Sequence, residues 1–303
     1  MILIAGGTGF VGGGVVRELA RRGKPVAVLS RDASKVARRF PGLAVEARQG
    51  DVRDPVSLRG AFEGIEAVIN CVQFPNSPIE NKRKGWTFEQ IDEQGSVNQV
   101  EAAKAAGVRR FVYVSGVGAA PDAEKHWFVC KWRAEEAVRR SGIAHVIVRP
   151  TWVYGPEDAA LNRFLGLARR LPFVPTFGHG RQLMQPLFVD DLGRLLANAL
   201  ERTQADNRAF EVGGPEQMSM DGVIRTALEV AGLRRPILHL PAALGKLAAI
   251  FLQLLPGPPL TPDAIDFITG EAVADNTALE HAFGGPRLTP LRDGLATYLG
   301  ARK

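Results

Sequence analysis

The stretch Ile2-Leu3-Ile4-Ala5-Gly6-Gly7-Thr8-Gly9-Phe10-Val11-Gly12 decides the fold. A short β-branched run passes directly into a glycine-rich loop, and residues 12–22 then carry a helical pattern. Gly7, Gly9 and Gly12 satisfy GxGxxG; Gly6, Gly9 and Gly12 satisfy GxxGxxG. One glycine permits a tight turn, one lets backbone approach a pyrophosphate, and one lets helix and strand pack closely. The helix N-terminus then offers free N–H groups and the positive end of its dipole to phosphate. The strand–loop–helix order is the context that separates a dinucleotide site from a merely structural turn.

The pattern repeats outward from that loop. Apolar runs at residues 2–5, 26–29, 44–49, 67–72, 111–115 and 145–149 alternate with helical patterns at 12–22, 34–40, 55–62, 88–106 and 131–141. Continuous apolar strands separated by helices predict parallel strands covered on both faces. Right-handed crossovers then give an α/β, doubly wound Rossmann sheet. Beyond Pro150 the sequence is less regular, although residues 187–200 and 210–212 return to the alternation. The expected division is a dinucleotide-binding domain at 1–155 plus about 187–214. A small α/β substrate or interface domain, at 156–186 and 215–303, is interleaved with it.

The composition fits this reading. The chain has 303 residues, 46% hydrophobic and 23% charged, with a net charge of +6. Such values exclude a disordered or fibrous chain. The basic residues fall in scattered pairs, Arg21-Arg22 and Arg139-Arg140 among them, several at helix ends where cations offset the dipole. They predict a solvated surface and no nucleic-acid groove. Two cysteines, Cys71 and Cys130, form no CxxC and predict no metal site. The opening run predicts a strand rather than a leader peptide, so the expected location is the cytoplasm.

The end of the second strand selects the cofactor. An acid there suits the ribose hydroxyls of NAD, and an arginine suits the 2′-phosphate of NADP. The sequence reads Ser30-Arg31-Asp32, with Lys35 and Arg38 following. Guanidinium and ammonium groups favour NADP(H), while Asp32 keeps NAD(H) open.

Gly6–Gly12, Gly50-Asp51-Val52, Asn70-Cys71-Val72, residues 101–108, Arg110-Phe111-Val112-Tyr113-Val114-Ser115 and residues 149–156 follow in order. Together they resemble the extended and atypical short-chain dehydrogenase/reductase superfamily, over nearly the whole chain. Residues 254–261 and Asn276 resemble the branch related to the 39-kDa accessory subunit of respiratory complex I, and to epimerase/dehydratase-like proteins. The resemblance implies that Gly6, Gly9 and Gly12, with Gly7, Thr8, Phe10 and Val11 between them, hold the pyrophosphate. It implies that Asp51 and Val52 flank the adenine and that Cys71 and Val72 line the ribose path. Ser115, Pro150 and Val153 would lie toward the nicotinamide.

Typical members use Asn, Ser, Tyr and Lys, with the tyrosine of Tyr-x-x-x-Lys as general acid/base. Lys131 fits the lysine and is expected to bind the nicotinamide ribose. Trp127 stands at the tyrosine position, and indole does not exchange a proton at neutral pH. Asp92 stands at the Asn position. His126 adjoins Trp127 and is the candidate substitute acid/base, but neighbours on a helix project about 100° apart, so a plain surface histidine is the favoured reading. The competing reading of Lys131 is a solvated lysine paired with Glu135 at i,i+4. The missing tyrosine favours a cofactor-binding accessory or sensing protein; an active NADP-dependent reductase or nucleotide-sugar epimerase/dehydratase-like enzyme is the alternative. Phe74, Trp86, Phe164 and Phe177, in the stretches 73–86 and 157–185, suggest a small apolar substrate.

Leu244, Leu247, Ala248, Phe251 and Leu255 recur at helical spacing with only Lys246 and Gln253 strongly polar between Pro241 and Pro256. Three readings follow for 241–256: a core helix, a contact with a partner protein, or a peripheral contact with the inner face of a membrane.

Overall fold

The computed structural model describes residues 1–75, 77–252 and 261–300. The first half alternates strand and helix in chain order. These elements are β1 (Ile2–Ala5), α1 (Phe10–Arg21), β2 (Val26–Ser30), α2 (Ala33–Arg39), β3 (Val45–Gln49), α3 (Pro55–Ala61), β4 (Ala67–Asn70), α4 (Gln94–Ala105), β5 (Arg110–Val114), α5 (His126–Arg139) and β6 (Ala144–Pro150). The second half contributes β7 (Val153–Tyr154), α6 (Ala159–Arg170), β8 (Val174–Phe177), β9 (Leu183–Met184), β10 (Leu187–Phe188), α7 (Val189–Ala199), β11 (Arg208–Val212), β12 (Met218–Ser219) and α8 (Met220–Val230). Then come β13 (Ile237–Leu240), α9 (Ala242–Leu252), α10 (Pro262–Thr269), α11 (Thr277–Phe283) and α12 (Leu291–Leu299).

Seven strands form one parallel sheet in the order β11-β6-β5-β4-β1-β2-β3. The chain runs outward from β1 to β3, then returns to β4 on the other side. The strand order therefore reverses beside β1, and ligands of open α/β sheets bind outside the carboxyl ends at such a point. The expected doubly wound α/β fold is the one observed. Helices cover both faces. One apolar cluster joins Ile4, Val28 and Val148 to Val15, Leu19, Leu192 and Leu196. The other joins Leu3, Phe111 and Ile147 to Leu58, Val100 and Val138.

Local chemistry fixes several boundaries. Asp32 caps α2 and Asp54 caps α3, each accepting a backbone N–H two residues on. The helical pattern at 88–106 is broken: Phe88–Glu93 winds as a π-helix before α4 begins. That wider turn, with Asp92 buried on it, lies beside α5. Helix α5 begins five residues earlier than its sequence pattern suggests, at His126.

Helix α7 packs along α1 at two glycines. A Cβ on Gly193 would lie 3.2 Å from the carbonyl carbon of Gly14, so the backbones meet directly. Segments 156–186, 215–252 and 261–300 contribute to a further apolar centre built on Leu161, Leu165, Val174, Val223, Ile224 and Leu295. Asn276 pins its chain to the main sheet: its Oδ1 accepts the Gly213 N–H at 2.8 Å and its Nδ2 donates to the Gly213 carbonyl at 3.1 Å.

Candidate functional site

The glycine loop leaves β1 with Gly6 in the left-handed region, φ +74°. A Cβ there would stand 2.6 Å from the Cys71 carbonyl oxygen on the neighbouring strand end. At Gly12 a Cβ would stand 2.3 Å from the Gly6 carbonyl oxygen, so this glycine closes the helix onto the loop. Gly7 packs on Val28. Gly9 is exposed, and the only neighbour of a Cβ there would be the Gly6 oxygen at 3.1 Å. Its outward side is thus open to close backbone approach, and it caps α1 without a side chain to block the helix end. Thr8 is half-buried in the same loop. Phe10 packs toward Gly155 and the C-terminal apolar centre, and Val11 packs on the sheet core. This cradle fits a dinucleotide pyrophosphate.

At the end of β2, Ser30 is buried and its Oγ donates to the Asp32 carbonyl at 2.8 Å. The Asp32 carboxylate is engaged by its own helix. One oxygen accepts the Ser34 N–H at 2.9 Å and the Ser34 hydroxyl at 2.6 Å, and the other lies 3.3 Å from Arg38. The Ser34 hydroxyl is the main reason its pKa falls. Arg31 and Lys35 are exposed, and neither forms an ion pair among the described residues. Arg38 does not share their freedom.

Asp51 is half-buried and held by Arg53, whose guanidinium reaches it at 2.7 Å and holds the carboxyl below its usual range. The helix cap there is Asp54, not Asp51. Val52 and Val72 both border an apolar cluster of Phe74, Phe88, Ile91, Trp127 and Cys130. Cys71 is half-buried, and burial pushes its thiol up to about 12. Sequence reasoning assigned no role to Asn70, yet it organises this strand end. Its Oδ1 accepts the Val72 N–H at 2.9 Å and its Nδ2 donates to Ser96 at 3.0 Å. The signal in the sequence is a polar residue closing the apolar run Ala67-Val68-Ile69.

Lys131 is buried, with Nζ 2.9 Å from Asp92 Oδ1 and 5.7 Å from the centre of the Tyr113 ring. Burial works against its charge, but the Asp92 carboxylate outweighs it, and the lysine pKa is raised. Burial pushes Asp92 up while Lys131 pulls it back. The expectation of a solvated Lys131 paired with Glu135 is overturned. Glu135 is fully buried and faces the sheet, where Arg149 holds it with two bonds of 2.8 and 2.6 Å and Arg139 adds a third of 2.7 Å.

Trp127 does not face open solvent. Its ring lies 6.0 Å from Phe88 and 5.8 Å from Phe128, and its indole nitrogen is buried without a partner. The Ser115 hydroxyl is also buried and unpartnered. Buried donors without a partner call for a further polar group. His126 is exposed, stacked edge-on against Phe88 and 3.5 Å from Glu80. Pro150 ends β6, its carbonyl accepting the Val117 N–H at 3.1 Å; Val153, on β7, is half-buried between two apolar clusters.

The aromatic residues expected to line a pocket separate into two groups. Phe74 is buried edge-on against Phe88, and Trp86 borders the same cluster under Lys84. Phe164 packs in the C-terminal apolar centre, and Phe177 lies under α9 at Gly245.

A family model described as NAD(P)H-binding matches residues 6–165. The chain belongs to that family. The expected kinship with the extended short-chain dehydrogenase/reductase superfamily stands, and the likeness to epimerases is one of fold. An NAD(P)H azoreductase of Xenophilus azovorans is 30% identical over 246 residues, 80% of this chain and 78% of that protein. Subunit 9 of the mitochondrial NADH dehydrogenase (ubiquinone) 1 alpha subcomplex of Arabidopsis thaliana is 25% identical over 292 residues, 91% of this chain and 71% of that one. The fold matches the crystal structure of a UDP-glucose 4-epimerase from Thermotoga maritima with a TM-score of 0.77 at 20% identity, covering 99% of this chain and 97% of that one. Residues 254–260, part of the branch resemblance, lie outside the described residues.

Proposed function

We propose that this protein binds NADPH in preference to NADH and holds it without a tyrosine acid/base, in an accessory or sensing role. The observation that carries the reading is Trp127, packed among Phe88, Phe128 and Phe74's cluster at the place of the missing tyrosine. None of the three tyrosines replaces it. Tyr113 is buried beneath Lys131, and burial pushes its phenol up to about 12, away from proton exchange at neutral pH. Tyr154 and Tyr298 belong to the C-terminal apolar centre.

Bound NADPH supplies a hydride. The chain would supply the grip: Gly9 and the start of α1 would hold the pyrophosphate, and Lys131 and Ser115 would serve the nicotinamide side. The 2′-phosphate preference rests on a division of labour at β2. Asp32 is committed to capping α2, whereas Arg31 and Lys35 keep their charges uncommitted. A phosphate dianion meeting a guanidinium gains a charge-assisted, bidentate contact.

Titration of the cofactor-stripped protein with NADPH and NADH tests this. NADPH should bind at least tenfold more tightly, and Arg31→Ala should remove most of that difference, about 1.4 kcal/mol or more. Equal affinities in the parent protein would refute the preference.

A second reading has its own support in the 30% identical azoreductase and the aromatic cluster beside Lys131. It is reduction of a small apolar acceptor that takes hydride from NADPH, becoming NADP⁺, and its proton from water. Oxidation of NADPH by azo or quinone acceptors that survives Trp127→Phe and is lost in Lys131→Ala would favour it.

A further inference from the structure

Helix α9 is built inside out. Its buried residues are the small ones, Gly245 and Ala249. Gly245 fits against the Phe177 ring, where a Cβ would stand 2.5 Å from the ring edge, and against Ile265. Leu244, Leu247, Ala248 and Phe251 follow i, i+3, i+4, i+7 spacing, the stripe that normally faces a core. Here that stripe faces solvent: Leu244 is 63% exposed, Leu247 54% and Phe251 66%. The core reading of this helix is therefore overturned.

The apolar surface continues beyond the helix. Leu238 and Leu240 on β13 are exposed and pair in register with Pro175 and Phe177, whose ring packs on Gly245 of α9. Phe267, on the α10 helix that packs against α9, is exposed as well. Helix α9 has one charged residue, Lys246, and it is tied to Asp266, which also holds Lys125 at 2.9 Å. No acid on this helix opposes an anionic surface.

At the other end of β13, a strand about 13 Å long, lies a basic patch. Arg225, Arg234 and Arg235 line one surface depression. Arg235 donates to the carbonyl of Ala168 at 3.1 Å, next along the chain to Arg169 and Arg170. Arg169, Arg170, Arg234 and Arg235 are exposed and form no ion pairs among the described residues. The acids nearby are already engaged: Asp221 by His239 and Arg225, Glu229 by Arg292.

We propose that this face docks on an anionic lipid surface, with the α9 stripe entering the headgroup boundary and the arginine patch resting on the lipid charges. Charge complementarity selects this occupant over a second copy of the chain, whose own patch would bring like charges together. No described helix is long and apolar enough to cross a membrane. The contact is that of an amphipathic helix lying in the interface, where apolar depth and basic charge add.

Vesicle flotation tests the proposal, with phosphatidylcholine alone and phosphatidylcholine mixed with phosphatidylglycerol. The protein should float with the mixed vesicles at least tenfold more than with the neutral ones. Leu247→Glu with Phe251→Glu should abolish flotation. Arg234→Glu with Arg235→Glu should reduce anionic binding about tenfold and leave any neutral binding unchanged. All these positions are exposed, and unchanged NADPH affinity reports that each variant is folded. Absence of flotation by the parent protein overturns the proposal. So does a self-associated protein whose dissociation by Leu247→Glu with Phe251→Glu occurs without vesicles, because a second copy would then cover the stripe.

Discussion

Replacing Asp92 by asparagine tests the central electrostatic arrangement of the site. The Lys131 Nζ lies 2.9 Å from the fully buried carboxylate, and no other carboxylate is paired with it among the described residues. Removing one partner of a buried pair leaves the other charge uncompensated, at a cost of about 3–5 kcal/mol. An unfolding entropy near 2.1 cal/mol/K per residue makes 1 kcal/mol worth about 1.6 °C in a chain of 303 residues. Asp92→Asn should therefore lower Tm by about 5–8 °C at neutral pH. Lys131→Met should cost less, because burial already raises Asp92 and the carboxyl can take up a proton. The double variant should be more stable than Asp92→Asn alone. The pH dependence gives a second check. In the parent protein Lys131 is raised, so the stability it contributes is present below its unfolded value, about 10.4, and is lost as pH rises through the higher folded value. In Asp92→Asn burial is the largest influence left on Lys131 and lowers its folded value, so stability should increase as pH rises toward 10. Melting curves of the four proteins across neutral to alkaline pH would show the pattern. Single losses that simply add in the double variant, or an Asp92→Asn loss under about 1 kcal/mol, would refute a coupled ion pair.

The remaining expectations concern packing and reactivity. Gly12→Ala places a Cβ 2.3 Å from a backbone oxygen, so it should cost at least about 1–3 kcal/mol and weaken NADPH binding more than tenfold by calorimetry. Gly60→Ala, in open space within α3, should instead stabilise slightly, by up to about 1 kcal/mol in denaturant melts. Glu135→Gln strips the charge from a fully buried carboxylate holding two arginines, and should cost about 3 kcal/mol without changing the NADPH-over-NADH ratio. Burial pushes Cys71 and Cys130 each up to about 12, so iodoacetamide at neutral pH should label them only after denaturation.

The amino-acid sequence by itself determined the parallel sheet and the phosphate loop. Both rest on local rules: alternation of strand and helix, and glycines at positions where neighbouring backbone leaves no room for a Cβ. It also determined that no tyrosine stands four residues before Lys131. Tertiary structure decided which charges meet. Lys131 and Glu135 are one helical turn apart, which made their pairing legible, but the fold turned Glu135 toward Arg149 on β6 and brought Asp92 to Lys131 from a π-helical turn. The same holds for Asp32, whose engagement by Ser34 and Arg38 sets Arg31 apart at the end of β2. Periodicity likewise defined the apolar stripe of α9 without saying on which side the protein would lie. The glycine–phenylalanine contact at Gly245 settled that, since only the small face could approach Phe177, and it left the leucines and Phe251 outward. A pattern along the chain fixes a face; what that face meets depends on groups far away in sequence, brought near only when the whole core packs.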